Sequence, residues 1–224
     1  MPRAVQDHWF REAKRQGYRS RAAFKLAEID DKRKILRKGR RILDLGCAPG
    51  SWIQVAAKRV GPGGLVVGID LQAVPGNFHG ATVHILQGDA AELEDATLAE
   101  LGIDPAQPFD VILSDMAPST TGSRDTDHYG SMRLCDLALD MAARRLCPGG
   151  DLIIKTFEGP ASKDLINRMK TMFETVRPAK PKASRSDSRE MFLVAMKRVA
   201  EIALDTPDDS PPGGPPPLPG GWGG

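Results

Sequence analysis

The sequence predicts an α/β domain built on a mostly parallel seven-stranded sheet with helices on both faces. Short apolar runs alternate along the chain with segments of helical spacing, which is the order that a parallel sheet requires. A glycine or a charged residue stands at or just after the end of each of the first five runs. The 224 residues, 41% of them hydrophobic, are enough for one domain with a sizeable core.

Seven apolar runs are interpreted as strands, because each is short and is bounded by turn residues. They span residues 41–45, 65–69, 82–87, 110–114, 151–155, 173–177 and 190–197. The carboxyl ends of parallel strands meet at one edge of a sheet, and ligands bind beyond that edge near the topological switch point. We therefore expect Gly46, Asp70, Asp89, Asp115 and Lys155 to lie close together.

Helices are predicted before and between these strands. Ser20 can cap a helix over residues 21–29, in which Ala22, Leu26 and Ile29 form one apolar stripe and Lys25 lies within the helix. Glycine and proline clusters end two of the later helices. The later helices are expected at residues 51–60, about 91–101, 131–146 and 162–173.

Positive charge is concentrated at the N-terminus. Residues 1–41 contain 14 Lys and Arg against 5 Asp and Glu, although the net charge of the chain is only +2. A second basic cluster near the C-terminus has Asp187 as its only acidic residue; it contains Arg177, Lys180, Lys182, Arg185 and Arg189. Two separate basic segments favour a nucleic-acid partner over the alternative, a solvated helix face.

Several classes of protein are disfavoured. The chain has no apolar run long enough to cross a bilayer and no signal-peptide core, so we expect a cytoplasmic protein with no membrane partner. Three cysteines without a CxxC pair suit reduced thiols. The four histidines, His8, His79, His84 and His128, are scattered, so we expect surface or turn roles for them and no metal site. We also expect a monomer.

A glycine loop at residues 43–52, with the sequence LDLGCAPGSW, predicts a nucleoside site. Gly46 and Gly50 let the backbone turn and approach a ligand, yet the loop matches neither a P-loop nor GxGxxG. Asp70 is placed to bind ribose hydroxyls, and Asp89 could accept from an exocyclic adenine amine. Turn chemistry is the alternative role for both carboxylates. Trp52 could wall the pocket, although core packing is its default role.

Four charged residues, Lys25, Asp115, Lys155 and Glu190, are candidates to meet in one crevice beside this loop. Two amines and two carboxylates are costly to bring out of water unless they act there. The alternative is two structural ion pairs, Lys25 with Glu190 and Asp115 with Lys155.

Five segments in this order resemble the FtsJ/RrmJ family of S-adenosylmethionine-dependent ribose 2′-O-methyltransferases that act on RNA. They are YRSRAAFKL at 18–26, the glycine loop, LSDMAP at 113–118, IKTFEG at 154–159 and ASRSDSRE at 183–190. The resemblance covers about residues 8–198 and implies a Rossmann-like methyltransferase fold. It maps a catalytic tetrad onto Lys25, Asp115, Lys155 and Glu190. It maps the S-adenosylmethionine contacts onto Gly50, Trp52, Asp70, Asp89 and Asp115.

The resemblance also implies the reaction. The expected substrate is a ribose, that of a uridine, in 23S-type ribosomal RNA within the assembled large ribosomal subunit. Lys155 is expected to meet the acceptor hydroxyl, as a general base or as a charged group that orients it; we lean toward the base. Alternatives are a sister enzyme acting on tRNA or an mRNA cap, and a catalytically silent ribosome assembly factor. An NAD-linked oxidoreductase is disfavoured by the missing GxGxxG.

Three regions are expected. They are a basic RNA-binding arm and helix at 1–40, a methyltransferase domain at 41–200 and a disordered tail at 201–224. Residues 206–224 contain 7 Pro and 6 Gly, a composition that cannot bury enough apolar surface to fold.

Overall fold

The computed structural model describes residues 2–119, 121–184 and 188–200. Its elements follow one another as α1 (Pro2–Arg15), α2 (Ala22–Arg33), β1 (Arg41–Leu45), α3 (Ser51–Val60), β2 (Leu65–Asp70), β3 (Thr82–Gln87), a 3₁₀ turn (Ala90–Glu92), α4 (Asp95–Glu100), β4 (Phe109–Ser114), α5 (Arg124–Arg145), β5 (Leu146–Phe157), α6 (Ser162–Met172), β6 (Phe173–Ala179) and β7 (Glu190–Arg198). The predicted Pro/Gly tail and Arg185 of the second basic cluster lie outside the described residues.

The seven strands form one sheet in the order β3-β2-β1-β4-β5-β7-β6, which confirms the predicted fold class. Strands β1 to β5 pair in parallel, and β7 runs antiparallel to both β5 and β6. The switch point falls between β1 and β4, where the chain order reverses. Because β7 is reversed, its first residue, Glu190, pairs with Phe157 at the end of β5. The reversal therefore places Glu190 at the same edge as the carboxyl ends of the parallel strands.

Helices cover both faces of the sheet, as predicted. One apolar cluster joins Leu139 of α5 and Leu165 of α6 to Ile112 and Leu152 in the strands. The other cluster joins α2 and α3 to the opposite face; among its members are Leu26, Ile29, Ile53, Ile42 and Val194. Burial of these side chains on two sides explains why the central strands read as continuous apolar runs.

Several predicted elements differ from the structure, among them the helix expected at 131–146, which begins at Arg124. The expected helix at 91–101 is a 3₁₀ turn followed by the short α4, because Leu93 adopts an extended conformation and is buried. The carbonyl of Leu93 accepts a hydrogen bond from the guanidinium of Arg145 instead of an intrahelical partner. Strand β5 begins at Leu146, before the glycines expected to precede it, since Phe109 pairs with Leu146 ahead of a register shift.

The helix that carries Lys25 begins two residues later than Ser20. Arg21 is its N-cap residue and makes no side-chain capping bond. Ser20 instead accepts from the Ala22 amide at 3.2 Å and shares a 2.7 Å hydrogen bond with Ser51, the first residue of α3. The serine thereby links α2 to the glycine loop. Within the described ranges, no helix combines the length and apolar character needed to cross a bilayer.

Candidate active site

The four predicted tetrad residues lie at the same edge of the sheet and form two ion pairs. The Lys25 ammonium is 2.6 Å from Glu190 Oε1, and the Lys155 ammonium is 2.8 Å from Asp115 Oδ1. Both lysine side chains are only 9% exposed. The partners match those of the structural alternative, Lys25 with Glu190 and Asp115 with Lys155. Burial of two complete pairs at the ligand-binding edge of the sheet still makes this a candidate catalytic centre.

The two ion pairs influence each other. Burial alone would raise the pKa of Glu190, but the nearby charge and hydrogen bond of Lys25, with a further contribution from Lys155, lower it below its ordinary value. Ser184 also donates a hydrogen bond to Glu190, at 3.1 Å. Glu190 is therefore held as a carboxylate between two amines. The charge of Lys155 thus acts on the carboxylate of the other ion pair.

Lys155 is held by the backbone as well as by charge. Its ammonium donates to the main-chain carbonyl of Asp115 at 2.5 Å. The Asp115 Oδ1 atom lies within ion-pair distance but outside hydrogen-bonding geometry. One directed bond to a strand end and one charge contact fix the ammonium, and its remaining N–H groups are left to donate in other directions.

Trp52 supports the site from the core. Its indole N–H donates to the Ala22 carbonyl at 2.9 Å, and its ring packs at a tilt against Phe192. With 2% of its surface exposed, the side chain takes the core-packing role and not that of a pocket wall. The main-chain amide of Trp52 belongs to the first turn of α3 and has no intrahelical acceptor.

The glycine loop needs glycine at two positions for two separate reasons. Gly46 and Gly50 have φ angles of +73° and +98°, a conformation that side chains disfavour. A Cβ atom would also lie 2.5 Å from Met116 Cγ at position 46 and 2.8 Å from Phe78 Cζ at position 50. The loop is thus closely packed against the segments that follow β4 and β2.

Asp70 and Asp89 both perform the turn chemistry that was the alternative to ligand binding. Asp70 accepts from the amides of Ala48 and Gln72, each at 2.8 Å, so its carboxylate ties the glycine loop to the segment after β2. Asp89 accepts from the Ala91 amide at 2.9 Å and starts the 3₁₀ turn. A carboxylate has about four acceptor positions, so these bonds leave capacity for a ligand.

Asp44 was missed as a site residue, although it stands within the glycine-loop motif. Its side chain is fully buried, and neither oxygen has a hydrogen-bond partner among the described residues. Burial, followed by the negative charges of Asp115 and Asp70, raises the pKa of Asp44 well above its ordinary value. The available signal was a carboxylate inside the apolar strand RILDL, where a charge has no structural use.

We expect the free energy of unfolding to fall as pH rises because of Asp44. Since the pKa of Asp44 is raised in the folded state, the stability that its protonated form contributes is fully present below about pH 4. This stability is lost as pH climbs toward the folded-state pKa. The free energy of unfolding of the wild type should therefore fall relative to that of Asp44→Asn, by at most about 1.4 kcal/mol per pH unit. Urea unfolding of both proteins across a pH series measures this difference. Parallel stability curves would contradict the assignment.

His128 corrects the expectation of a surface or turn role. It is 1% exposed, and its Nδ1 is 3.0 Å from the Phe157 carbonyl while its Nε2 accepts from the Ala161 amide at 3.1 Å. These partners require a neutral ring that carries its proton on Nδ1. The ring leaves no room for a Cβ atom at Gly159. His128 therefore braces the segment that follows Lys155, a role that no sequence pattern indicated.

The predicted basic segments divide between structural and exposed roles. Arg40 forms a largely buried ion pair with Asp151 at 2.7 Å, and Arg41 donates to two carbonyls near the start of β4. Arg189 donates to the Arg124 carbonyl at 3.0 Å, which joins the second basic cluster to α5. Exposed members of both clusters, such as Lys38, remain candidates for phosphate contacts.

Known proteins resemble this chain over most of its length. The family model described as FtsJ-like methyltransferase matches residues 18–198. The ribosomal RNA large subunit methyltransferase E of Syntrophobacter fumaroxidans is 47% identical over 197 residues, covering 88% of this chain and 98% of that protein. The protein of the same name from Parvibaculum lavamentivorans is 46% identical over 221 residues, covering 92% and 84%.

A solved structure shares the fold as well. The crystal structure of a ribosomal RNA methyltransferase from Plasmodium falciparum superposes with a TM-score of 0.72 at 32% identity. The match covers 82% of this chain and all of that one. The sequence and the fold of this chain therefore both resemble those of ribosomal RNA methyltransferases.

Proposed function

Because the chain belongs to the FtsJ-like methyltransferase family, we propose that it transfers the methyl group of S-adenosylmethionine to a ribose 2′-hydroxyl of large-subunit ribosomal RNA. The target is the ribose of a uridine, and the substrate is the assembled large ribosomal subunit. The observation that carries the proposal is the buried tetrad beside the glycine loop at the carboxyl edge of the sheet. Homologues named as ribosomal RNA large subunit methyltransferases support the choice of RNA.

The crevice residues fit S-adenosylmethionine. Asp44, Asp70 and Asp115 are close enough that the last two carboxylates help to raise the pKa of the first. The carboxylates of Asp70 and Asp115 suit a ligand that brings positive charge and hydroxyl donors, which this cofactor does. Leu71, which follows Asp70, is 71% exposed and offers an apolar surface for a purine ring. The first-turn amides of α3 add donors for a carboxylate.

When bound, the cofactor supplies a methyl group already activated by its positively charged sulfur. The residues of the chain must hold the acceptor oxygen in line and accept its proton. Lys155 meets the hydroxyl, and Asp115 fixes the amine through its carbonyl and its charge. Lys25 and Glu190 form the second ion pair of the site, and the charge of Lys155 also acts on Glu190. In this proposal Lys155 takes the proton from the hydroxyl, which requires its neutral form.

The test incubates the protein with radiolabelled S-adenosylmethionine and each of four substrates: undermethylated large subunits, deproteinised ribosomal RNA, tRNA and capped mRNA. Alkali-resistant labelled dinucleotides from the large subunits are the expected result, because a 2′-O-methyl group blocks cleavage of the neighbouring phosphodiester. Labelling of tRNA or cap alone would contradict the substrate assignment. Absence of labelling on every RNA, together with weak cofactor binding, would instead favour a silent assembly factor.

A further inference from the structure

Tyr129 is an unusual surface residue. It lies in the second turn of α5 and is 57% exposed, one of only three large hydrophobic side chains with that degree of exposure among the described residues. Its ring centroid is 5.4 Å from that of the buried His128. The buried His128 thus fixes this turn of α5, while the ring of Tyr129 faces outward. The fold makes little use of this ring, which suggests a use outside the fold.

The turn that carries Tyr129 is anchored to both strand ends that deliver catalytic groups. His128 bonds to Phe157 and Ala161, which follow Lys155 closely in the chain. Gly130 packs so tightly on Pro118, three residues after Asp115, that a Cβ atom would lie 2.9 Å from the proline ring. The tyrosine is therefore held beside the segments that follow Asp115 and Lys155.

Positive charge accompanies the ring. Arg133 is exposed one helical turn further along the same face of α5. Arg189 reaches the N-terminal end of α5 by donating to the Arg124 carbonyl. Asp125 is the acidic residue one turn earlier on this face, and the Asp127 carboxylate is engaged by the amide and hydroxyl of Thr121. The surface around Tyr129 thus combines one aromatic face with arginines on both sides.

We propose that Tyr129 stacks on an unpaired base that flanks the methylated nucleotide, while Arg133 and Arg189 meet the adjoining phosphates. The inference rests on the proposed function only in that the acceptor is RNA. Bases in loops and single strands stack on exposed aromatic rings, and arginines beside the ring contact the backbone. A protein-docking surface would need a wider apolar patch than one ring among charged residues. Tyr129 is a substrate-binding residue in this proposal and takes no part in proton transfer.

The test compares Tyr129→Ala, Tyr129→Leu, Tyr129→Phe and Tyr129→Trp. The dissociation constant for deproteinised, undermethylated large-subunit RNA should rise about tenfold in the Ala and Leu variants and stay near the wild-type value in the Phe and Trp variants. Cofactor affinity and melting temperature should be unchanged in all four. The salt dependence of RNA binding should stay steep in Tyr129→Ala and become shallower in Arg133→Ala, because only the arginine neutralises a phosphate.

The leucine variant is the matched control, because it keeps apolar surface and removes the aromatic face. Wild-type RNA affinity in Tyr129→Leu or in Tyr129→Ala would overturn the stacking proposal. The binding measurement is independent of turnover. If the wild type binds this RNA but methylates none, the proposed function fails while the stacking proposal is still decided by the variants.

Discussion

Lys155→Ala should lower kcat by about 10² to 10⁴-fold while S-adenosylmethionine still binds. The amine is buried, is fixed by the Asp115 carbonyl at 2.5 Å and stands at the edge where the acceptor must enter. Single-turnover methylation with saturating cofactor measures the loss, and calorimetry measures cofactor binding. A near-normal rate would refute the assignment of Lys155 as the residue that meets the hydroxyl.

Two further variants make this experiment sharper. Lys155→Arg keeps the positive charge, but a guanidinium does not lose its proton. If Lys155 is a general base, the arginine variant should therefore lose as much activity as the alanine variant. Partial activity in the arginine variant would instead assign an orienting, charge-stabilising role. Lys197→Ala is the matched control, since this lysine on β7 forms an exposed ion pair with Glu174 and should retain full activity.

Asp70→Asn should weaken S-adenosylmethionine binding about 10- to 100-fold, although the two side chains have nearly the same shape. Both carboxylate oxygens accept main-chain hydrogen bonds, from Ala48 and from Gln72. An asparagine would turn an N–H group toward one of these amides and leave it unpaired, at a cost of about 1–3 kcal/mol. The glycine loop would then be released from the segment after β2. Calorimetric titration of the cofactor measures the change in affinity.

Asp104→Asn is the matched control for this prediction. Asp104 also accepts from a backbone amide, that of Ala106, but it precedes β4 and so lies toward the amino ends of the strands, away from the crevice. Its asparagine variant should bind the cofactor as the wild type does. Equal losses in the two variants would show that the effect is general destabilisation, and an unchanged affinity in Asp70→Asn would remove the residue from the cofactor site.

The sequence was sufficient for the fold and for the position of the catalytic edge, because both follow from strand spacing and from what stands at strand ends. Asp70, Asp115 and Lys155 could be placed together on that basis alone. The sequence offered the pairing of Lys25 with Glu190 and of Asp115 with Lys155 only as the structural alternative, and the structure has these partners because of the direction of β7 and the side-chain geometry. From the sequence, Trp52 could be either a pocket wall or a core residue. Its contacts with α2 and Phe192 in the structure assign it to the core.

Three other features were missed from the sequence, each for a different reason. Asp44 looked like part of a glycine motif, and only its complete burial reveals an unpaired carboxyl. His128 has no spacing signal, because its partners are backbone groups far along the chain. The predicted helix at 91–101 was interrupted by the tertiary contact between Leu93 and Arg145. Local periodicity carries no information about such a contact.

The reversed strand β7 also determines when the four tetrad residues can come together during synthesis of the chain. Until β7 leaves the ribosome, the outer edge of β5 has no strand beside it, and Lys25 has no carboxylate opposite it. Domains form from the N-terminus as the polypeptide emerges. The half-made polypeptide can pair strands β1 to β5 early, but the Lys25–Glu190 ion pair forms only with the final hairpin. If the tetrad carries the proposed reaction, nascent chains are inactive until β7 has joined the sheet.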